Sequence, residues 1–372
     1  MLTNFVNYSI ILALLSYLAF FRQIRLEIIL LLAVISLLPF FLSSILPAGY
    51  LSDVLTYTHY AQRYRSEIGL HDLNISAYEY RSYDSFYLLG NPTGIIYGYL
   101  IPLPFVDNIY SLGFFNRFVY IIFIAYLILK KKVDGLLLYF LILYPSMILY
   151  TNVALRDTLI LVIILLTIIF LVEKKLFLCF LLLVPLFFLR PVNSYLLLPI
   201  YIVYSVFFYD MKPAKKFFLL LLISIAITIL SILYLDNIIQ TLNNYRIVRG
   251  REDGIEVDNI ILANNVYELI KISFASLPNF FIEPRITNFS NIFQLLQAVE
   301  NLIILFFIVS LFLYSFKLGK LKALFWILSL IFIAAVYGYV QSNVGALSRY
   351  KFVFIVMYIF AIFYEKSKIK IV

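Results

Sequence analysis

Residues 156–190 read RDTLILVIILLTIIFLVEKKLFLCFLLLVPLFFLR. Two apolar runs, 158–172 and 176–190, are joined by Glu173-Lys174-Lys175, with Arg156-Asp157 ahead of the first and Arg190 closing the second. A soluble helix leaves a polar stripe, and these runs leave none. They read as a hairpin of two helices in lipid, lysines at one end and arginines at the other. Beyond Arg190 the chain turns through Pro191-Val-Asn193-Ser194 into a further apolar run at 194–209. Helices of about 14–16 residues rise only about 21–24 Å, short of a hydrocarbon core of about 30 Å. Arg190 is therefore expected below the outer surface, where a charge needs a cavity or a partner.

The same alternation fills the chain. Apolar segments fall at 4–21, 26–46, 110–129, 134–150, 158–172, 176–190, 194–209, 217–235, 297–315, 323–340 and 350–364. Hydrophobic residues make up 64% and charged residues 13%, with a mean hydropathy of +0.99. Soluble domains carry about 25% charged residues, so this chain lacks the polar groups to cover a water-facing surface. The expected fold is an all-α integral membrane protein of about eleven transmembrane helices. It forms one polytopic domain over 1–372, with two large outer loops at 47–109 and 236–296. Within the first loop, Asn91–Phe105 is apolar but broken by Pro92, Pro102 and Pro104, which reads as a re-entrant or interfacial helix.

The net charge of +9 is distributed by topology rather than gathered for nucleic acid. Lysine runs at 130–132, 174–175, 212–216, 317–322 and 366–370 fall on one side of an eleven-helix arrangement, with Arg22 and Arg25. That side carries 14 Lys and 2 Arg against 5 acids, and the other 11 Arg and 2 Lys against 15 acids. The positive-inside rule makes the lysine side cytoplasmic, the amino terminus outer and the carboxyl terminus inner. The first basic residue, Arg22, follows the first apolar segment, so no cleaved signal peptide is expected. Cys179 is the single cysteine and His59 and His71 the only histidines, which excludes an HExxH site, and no metal is expected. No phosphate-binding P-loop, GxGxxG or GxSxG pattern occurs.

Three outer turns are short and polar: Tyr150-Thr-Asn-Val-Ala-Leu-Arg156-Asp157, Leu189–Ser194, and Gln341-Ser-Asn343-Val-Gly-Ala-Leu-Ser-Arg349-Tyr-Lys351. Arginine offers a planar fork for phosphates and carboxylates. Arg156, Arg190 and Arg349 are candidates to line one outward cavity for an anionic head group, with Asp157, Asn193, Asn343 and Lys351 as contributing residues. The plainer reading gives each arginine to lipid phosphates or to a neighbour such as Asp157. In the first loop, Asp53 or His59 could serve as general base, and Tyr57 as a substrate contact or a head-group anchor. The charged turn Tyr245–Gly254 carries Arg246, Arg249 and Arg251, which guide a diphosphate or acidic glycan, or pair locally with Glu252 and Asp253.

These pieces resemble the bacterial O-antigen and capsule repeat-unit polymerases of the Wzy type, and related exopolysaccharide polymerases. The likeness rests on Asp53 and Tyr57 after the second helix, Asn152-Val-Ala-Leu-Arg156-Asp157-Thr opening a helix, Leu189-Arg190-Pro191, a large outer loop before the last helices, and Ser348-Arg349-Tyr350-Lys351 leading the last. The resemblance implies a C-class membrane glycosyltransferase of the bacterial inner membrane. Donor and acceptor glycans would both be carried on undecaprenyl diphosphate, with no nucleotide sugar, cofactor or metal. Membrane lipids are expected partners, and a chain-length regulator is a further candidate. Arg156, Arg190 and Arg349 would stabilise the leaving diphosphate, with Asp157 orienting Arg156. Two other classes stay open: a C-class transferase using a polyprenyl-phosphate sugar donor, and a transporter or flippase of lipid-linked glycan.

Overall fold

A computed structural model describes residues 2–46, 57, 111–133, 135–153, 155–252, 256, 260–287, 291–341 and 344–369. Among these residues the chain forms fourteen α-helices and no strand. Lipid offers no partner for backbone N–H and C=O groups, and a helix satisfies its own. The first seven helices are α1 (Leu2–Arg22), α2 (Leu26–Ile35), α3 (Pro39–Ile45), α4 (Ser111–Leu129), α5 (Gly135–Leu143), α6 (Pro145–Tyr150) and α7 (Asp157–Val172). The next seven are α8 (Leu176–Leu189), α9 (Pro191–Phe208), α10 (Pro213–Glu252), α11 (Val266–Ile282), α12 (Ile292–Ser315), α13 (Lys320–Val340) and α14 (Val344–Ile369). Among the described residues six stretches are long and apolar enough to cross a bilayer: Asn4–Arg22, Ser111–Leu129, Pro191–Phe208, Ile292–Ser315, Lys320–Val340 and Gly345–Lys368. Leu26–Leu42, Asp157–Val172 and Leu176–Leu189 are shorter apolar helices, and the whole set is that of a membrane-embedded protein.

Among the described residues the apolar segments of the sequence fall on helix, but two are divided. Segment 26–46 breaks at residues 36–38 and 134–150 breaks at Tyr144, each immediately before a proline that starts the next helix. Proline lacks an N–H and clashes with the preceding turn, so it suits the first helical position and interrupts elsewhere. A larger correction concerns Tyr245–Gly254. This stretch is not a turn through Glu252; it is the end of the 40-residue α10. Just ahead of it Leu235, Ile239 and Leu242 recur at helical spacing and pack with Ala263, Tyr339 and Val340, and within it Arg246 meets Tyr339, so the helix continues along a surface to pack on.

The chain divides into two compact units, Met1–Leu165 with Val184–Pro191, and Leu166–Leu183 with Val192–Val372. In the first, α1 and α3 pack on α4. Phe40 meets Phe114 edge-on with ring centres 4.9 Å apart, and Ser111 Oγ donates to Asn4 Oδ1 at 3.1 Å. Gly113 lets α4 approach the α6–α7 loop, since a Cβ there would stand 2.4 Å from the Asn152 carbonyl oxygen.

In the second unit α14 is enclosed, with 94% of its apolar window buried. A helix apolar on every side suits such a position. Glu365 near its end accepts hydrogen bonds from Tyr204 and, at 2.5 Å, from Lys322. Lys174 reaches Asp210 at 2.5 Å, a hydrogen bond that holds this exposed carboxyl below its ordinary range. Helices α11 and α13 cross at Gly338, where a Cβ would lie 2.7 Å from the Ser276 carbonyl oxygen.

That crossing yields a prediction. Gly338→Ala should lower stability by about 1–3 kcal/mol, because a backbone atom must give way. Gly135→Ala, with nothing within 4 Å of its Cβ, should be neutral or slightly stabilising. Thermal unfolding in detergent, followed by a thiol-reactive dye on the buried Cys179, compares the two. Equal melting temperatures would contradict the close crossing.

Candidate functional site

The site is built on the loop between α6 and α7. A loop this deep carries carbonyls that no helix satisfies, and each needs a partner. Asn116 of α4 supplies two, its Nδ2 donating to the Val153 carbonyl at 2.6 Å and to the Leu155 carbonyl at 2.7 Å. Thr158 Oγ1 donates back to the Tyr150 carbonyl at 2.9 Å and closes the loop on itself. Asn116, Thr151 and Thr158 are fully buried and Asn152 nearly so.

The other half is the joint between α8 and α9. Pro191 disfavours helical backbone in the residue before it, so α8 stops at Leu189 and Arg190 stands alone between two helices. The expected turn Leu189–Ser194 is thus a one-residue joint, with Asn193 and Ser194 already in α9. Arg190 is 6% exposed. Of its two flanking helices α8 has 14 residues, whereas α9, expected to be as short, has 18. Its Nη1 lies 3.0 Å from Asp157 Oδ1, and Asp157 is fully buried. Asp157 also occupies the first turn of α7, where the helix dipole favours a negative charge. Arg156 turns the other way, its Nη1 donating to the Leu189 carbonyl at 2.9 Å, an end group of α8 that lacks a partner within its own helix. Asp157, expected to orient Arg156, therefore pairs with Arg190 while Arg156 caps α8.

One arginine was missed in the sequence. Arg117, in the second turn of α4, is 0% exposed. Its Nε donates to Ser36 Oγ at 3.1 Å and its Nη1 to Thr151 Oγ1 at 3.2 Å. Both hydroxyls give their own hydrogens to helix carbonyls, Ser36 to Leu32 at 2.6 Å and Thr151 to Met147 at 2.7 Å, so their lone pairs are left for the guanidinium. Nη2 has no hydrogen-bond partner. The signal was present, since an arginine inside the apolar segment 110–129 is a functional candidate by its position alone. Arg117, Arg156 and Arg190 thus touch or belong to the same two connections, with Asp157 beside them. Among the described residues of this unit the only other carboxylate is Glu27, which pairs with Arg25 at 3.5 Å.

The remaining candidates are placed separately. In the second unit Asn193 is fully buried and accepts from the Tyr337 hydroxyl. Lys351 is also buried; its Nζ donates to the Glu283 carbonyl at 2.7 Å and to Asn301 Oδ1 at 2.5 Å, so it fastens the end of α11 rather than standing open to a ligand. Arg349 lies on α14, half-buried. Arg246 donates to the Tyr339 carbonyl at 2.8 Å, its guanidinium 4.7 Å from the Tyr339 ring centre, and burial pushes it below its ordinary pKa while Tyr339 acts in the opposite sense. Arg251 is exposed at the end of α10, and Arg249 belongs to the same helix. Tyr57 is buried. Asp53, His59, Asn343 and the segment 92–105 lie outside the described residues.

Comparison with family models, curated proteins and solved structures finds no match to this chain.

The ion pair makes a measurable claim. Breaking a buried pair strands the remaining charge, so Asp157→Asn or Arg190→Gln alone should cost about 3–5 kcal/mol of stability. Together they should cost clearly less than the sum, with a coupling above about 1 kcal/mol. Detergent unfolding of the two single variants and the double variant tests this, and strict additivity would show that the two side chains do not interact.

Proposed function

We propose that this chain is a C-class membrane glycosyltransferase that polymerises undecaprenyl-diphosphate-linked oligosaccharide repeat units at the periplasmic face of a bacterial inner membrane. In this reading the chain crosses the membrane about eleven times, amino terminus outside and carboxyl terminus in the cytoplasm. The observation that supports it is the gathering of Arg117, Arg156 and Arg190 at two adjoining connections with Asp157 as their carboxylate.

The chemistry fits that electrostatic balance. The acceptor sugar hydroxyl forms a bond to the anomeric carbon of the donor glycan, and the bond from that carbon to the diphosphate oxygen breaks. The hydroxyl proton passes to a base, for which Asp53 and His59 are the candidates, and the polyprenyl diphosphate departs with the bonding electrons. Negative charge therefore grows on phosphate oxygens in the transition state. Fixed guanidiniums in a partly dry site stabilise that charge without reorganising, and removing one such donor typically costs a factor of about 10²–10³. Asp157 holds Arg190 in place, and the hydroxyls of Ser36 and Thr151 hold Arg117 without neutralising it.

The test uses cells lacking this gene, complemented by wild type, Arg190→Ala, Arg156→Ala or Arg117→Gln, with lipid-linked and surface glycan resolved on gels. Deletion should collapse the ladder to one repeat unit and wild type should restore it. Each variant should leave long chains undetectable even when glycan is normalised to the membrane protein level measured by immunoblot. A normal ladder from all three variants would sink the proposed role of the arginines. A product one sugar longer than its acceptor would identify a polyprenyl-phosphate sugar transferase instead, and loss of even the first unit at the surface a flippase.

A further inference from the structure

Helix α11 is absent from the stretches long and apolar enough to cross a bilayer, and the sequence assigned it to an outer loop. Its surroundings contradict a purely aqueous position. One face packs inward: Val266, Leu269 and Ile272 lie against the Tyr339–Val340 end of α13, Ser276 meets Gly338, and Phe280 is fully buried. The opposite face is apolar and open. Tyr267 is 75% exposed, Ile270 51%, Phe274 61% and Ile282 39%, at intervals of three, four and eight residues that form one stripe along the helix. Lys271 is the single charge on that stripe.

The two ends of α11 sit at different levels of the unit. The packed residues of its first half meet the last residues of α13. Its far end is bonded to residues well inside two candidate spans. Lys351 Nζ holds the Glu283 carbonyl at 2.7 Å, and Asn301 Nδ2 reaches the carbonyls of Ile282 at 3.3 Å, Glu283 at 2.9 Å and Pro284 at 3.4 Å. Lys351 belongs to the Gly345–Lys368 stretch and Asn301 to Ile292–Ser315. At 1.5 Å per residue they lie about 10 Å and about 14 Å in from the starts of α14 and α12. These side chains do what water does at an exposed helix end: they satisfy C-terminal carbonyls that have no partner within the helix. Such substitutes are required where water is absent, and an apolar stripe at that depth meets hydrocarbon.

We infer that α11 is an interfacial helix that dips obliquely into the bilayer, its Tyr267–Ile270–Phe274–Ile282 stripe lying against lipid chains and its far end anchored below the head groups by Lys351 and Asn301. Tyr267 at the shallow end suits the head-group level, where tyrosines collect. The inference is independent of the polymerase reading and holds for any activity of the chain. It gives the second unit a lipid-facing wall, against which the chain of a lipid substrate would slide as readily as bulk lipid.

Single cysteines at Tyr267, Phe274, Ile282 and Arg251, in a Cys179→Ser background, are labelled with an environment-sensitive fluorophore and reconstituted in phosphatidylcholine vesicles. Phe274 and Ile282 should be quenched at least about threefold more strongly by lipids bearing a spin label on the acyl chain than Arg251 is, with aqueous iodide giving the reverse order. A label deep in the chain should favour Ile282 and a shallow one Tyr267. Iodide access at Phe274 equal to that at Arg251 would overturn the inference, as would protection from both quenchers, which would mean a protein partner covers the stripe. Equal depth at Tyr267 and Ile282 would overturn the dip. Ile270→Cys repeats the Phe274 measurement should that variant fail to fold.

Discussion

A guanidinium of Arg190, 3.0 Å from the carboxylate of Asp157, ties the start of α7 to the joint between α8 and α9. Both charges are buried, so neither is shared with water, and each has given up hydration that its partner must replace. The pair fixes more than itself. Asp157 follows Arg156, and Arg156 can reach the Leu189 carbonyl because the helix start that carries both is held to the joint. The loop ahead of Asp157 is in turn clamped by Asn116, one residue before Arg117 on α4, and lodged against Gly113 on the same helix. One ion pair and one helix face thus decide where three arginines stand.

Charges at the lysine end of the chain obey a different logic. Lys174 and Asp210 meet at 2.5 Å with side chains 52% and 93% exposed, a pair whose worth is small because water competes for both partners. Lysine is a compact, hydrated charge on a flexible stem. Arg117 and Arg190, by contrast, are buried and make directed contacts through their planar forks. Glu365 is the exception, a buried carboxylate held by Lys322 and Tyr204 near the end of α14.

The apolar segments were legible because a helix in lipid must be apolar over its length, and that pattern is written in composition. The plainer reading of Arg190, a pairing with a neighbour such as Asp157, was legible too, because a charge among apolar runs needs a partner. What escaped is what depends on contacts. Nothing local in Tyr245–Gly254, with its three arginines and two glycines, announces helix; α10 continues into it as far as Glu252, after Leu235, Ile239 and Leu242 have met Tyr339 and Val340 about a hundred residues along the sequence. Lys351, a candidate beside Arg349, donates to the Glu283 carbonyl at the end of α11, a contact that no local pattern in 236–296 announces. Arg117 is not marked by a polar turn, since it sits inside α4 among apolar residues.

Arg117 also carries the argument for function furthest. A buried arginine cannot shed its proton to escape the cost of burial, as a lysine can. Its bonding partners here are two neutral hydroxyls, and the ring of Tyr120 lies 5.6 Å from the guanidinium carbon. A site built for stability alone would place an apolar side chain there at no loss, or add a carboxylate. Proteins break local rules of this kind chiefly at functional sites, where the missing partner belongs to something that arrives later. Under the proposed function that missing partner is an anion, the diphosphate of a lipid-linked glycan, set against the one nitrogen of Arg117 left without a hydrogen bond.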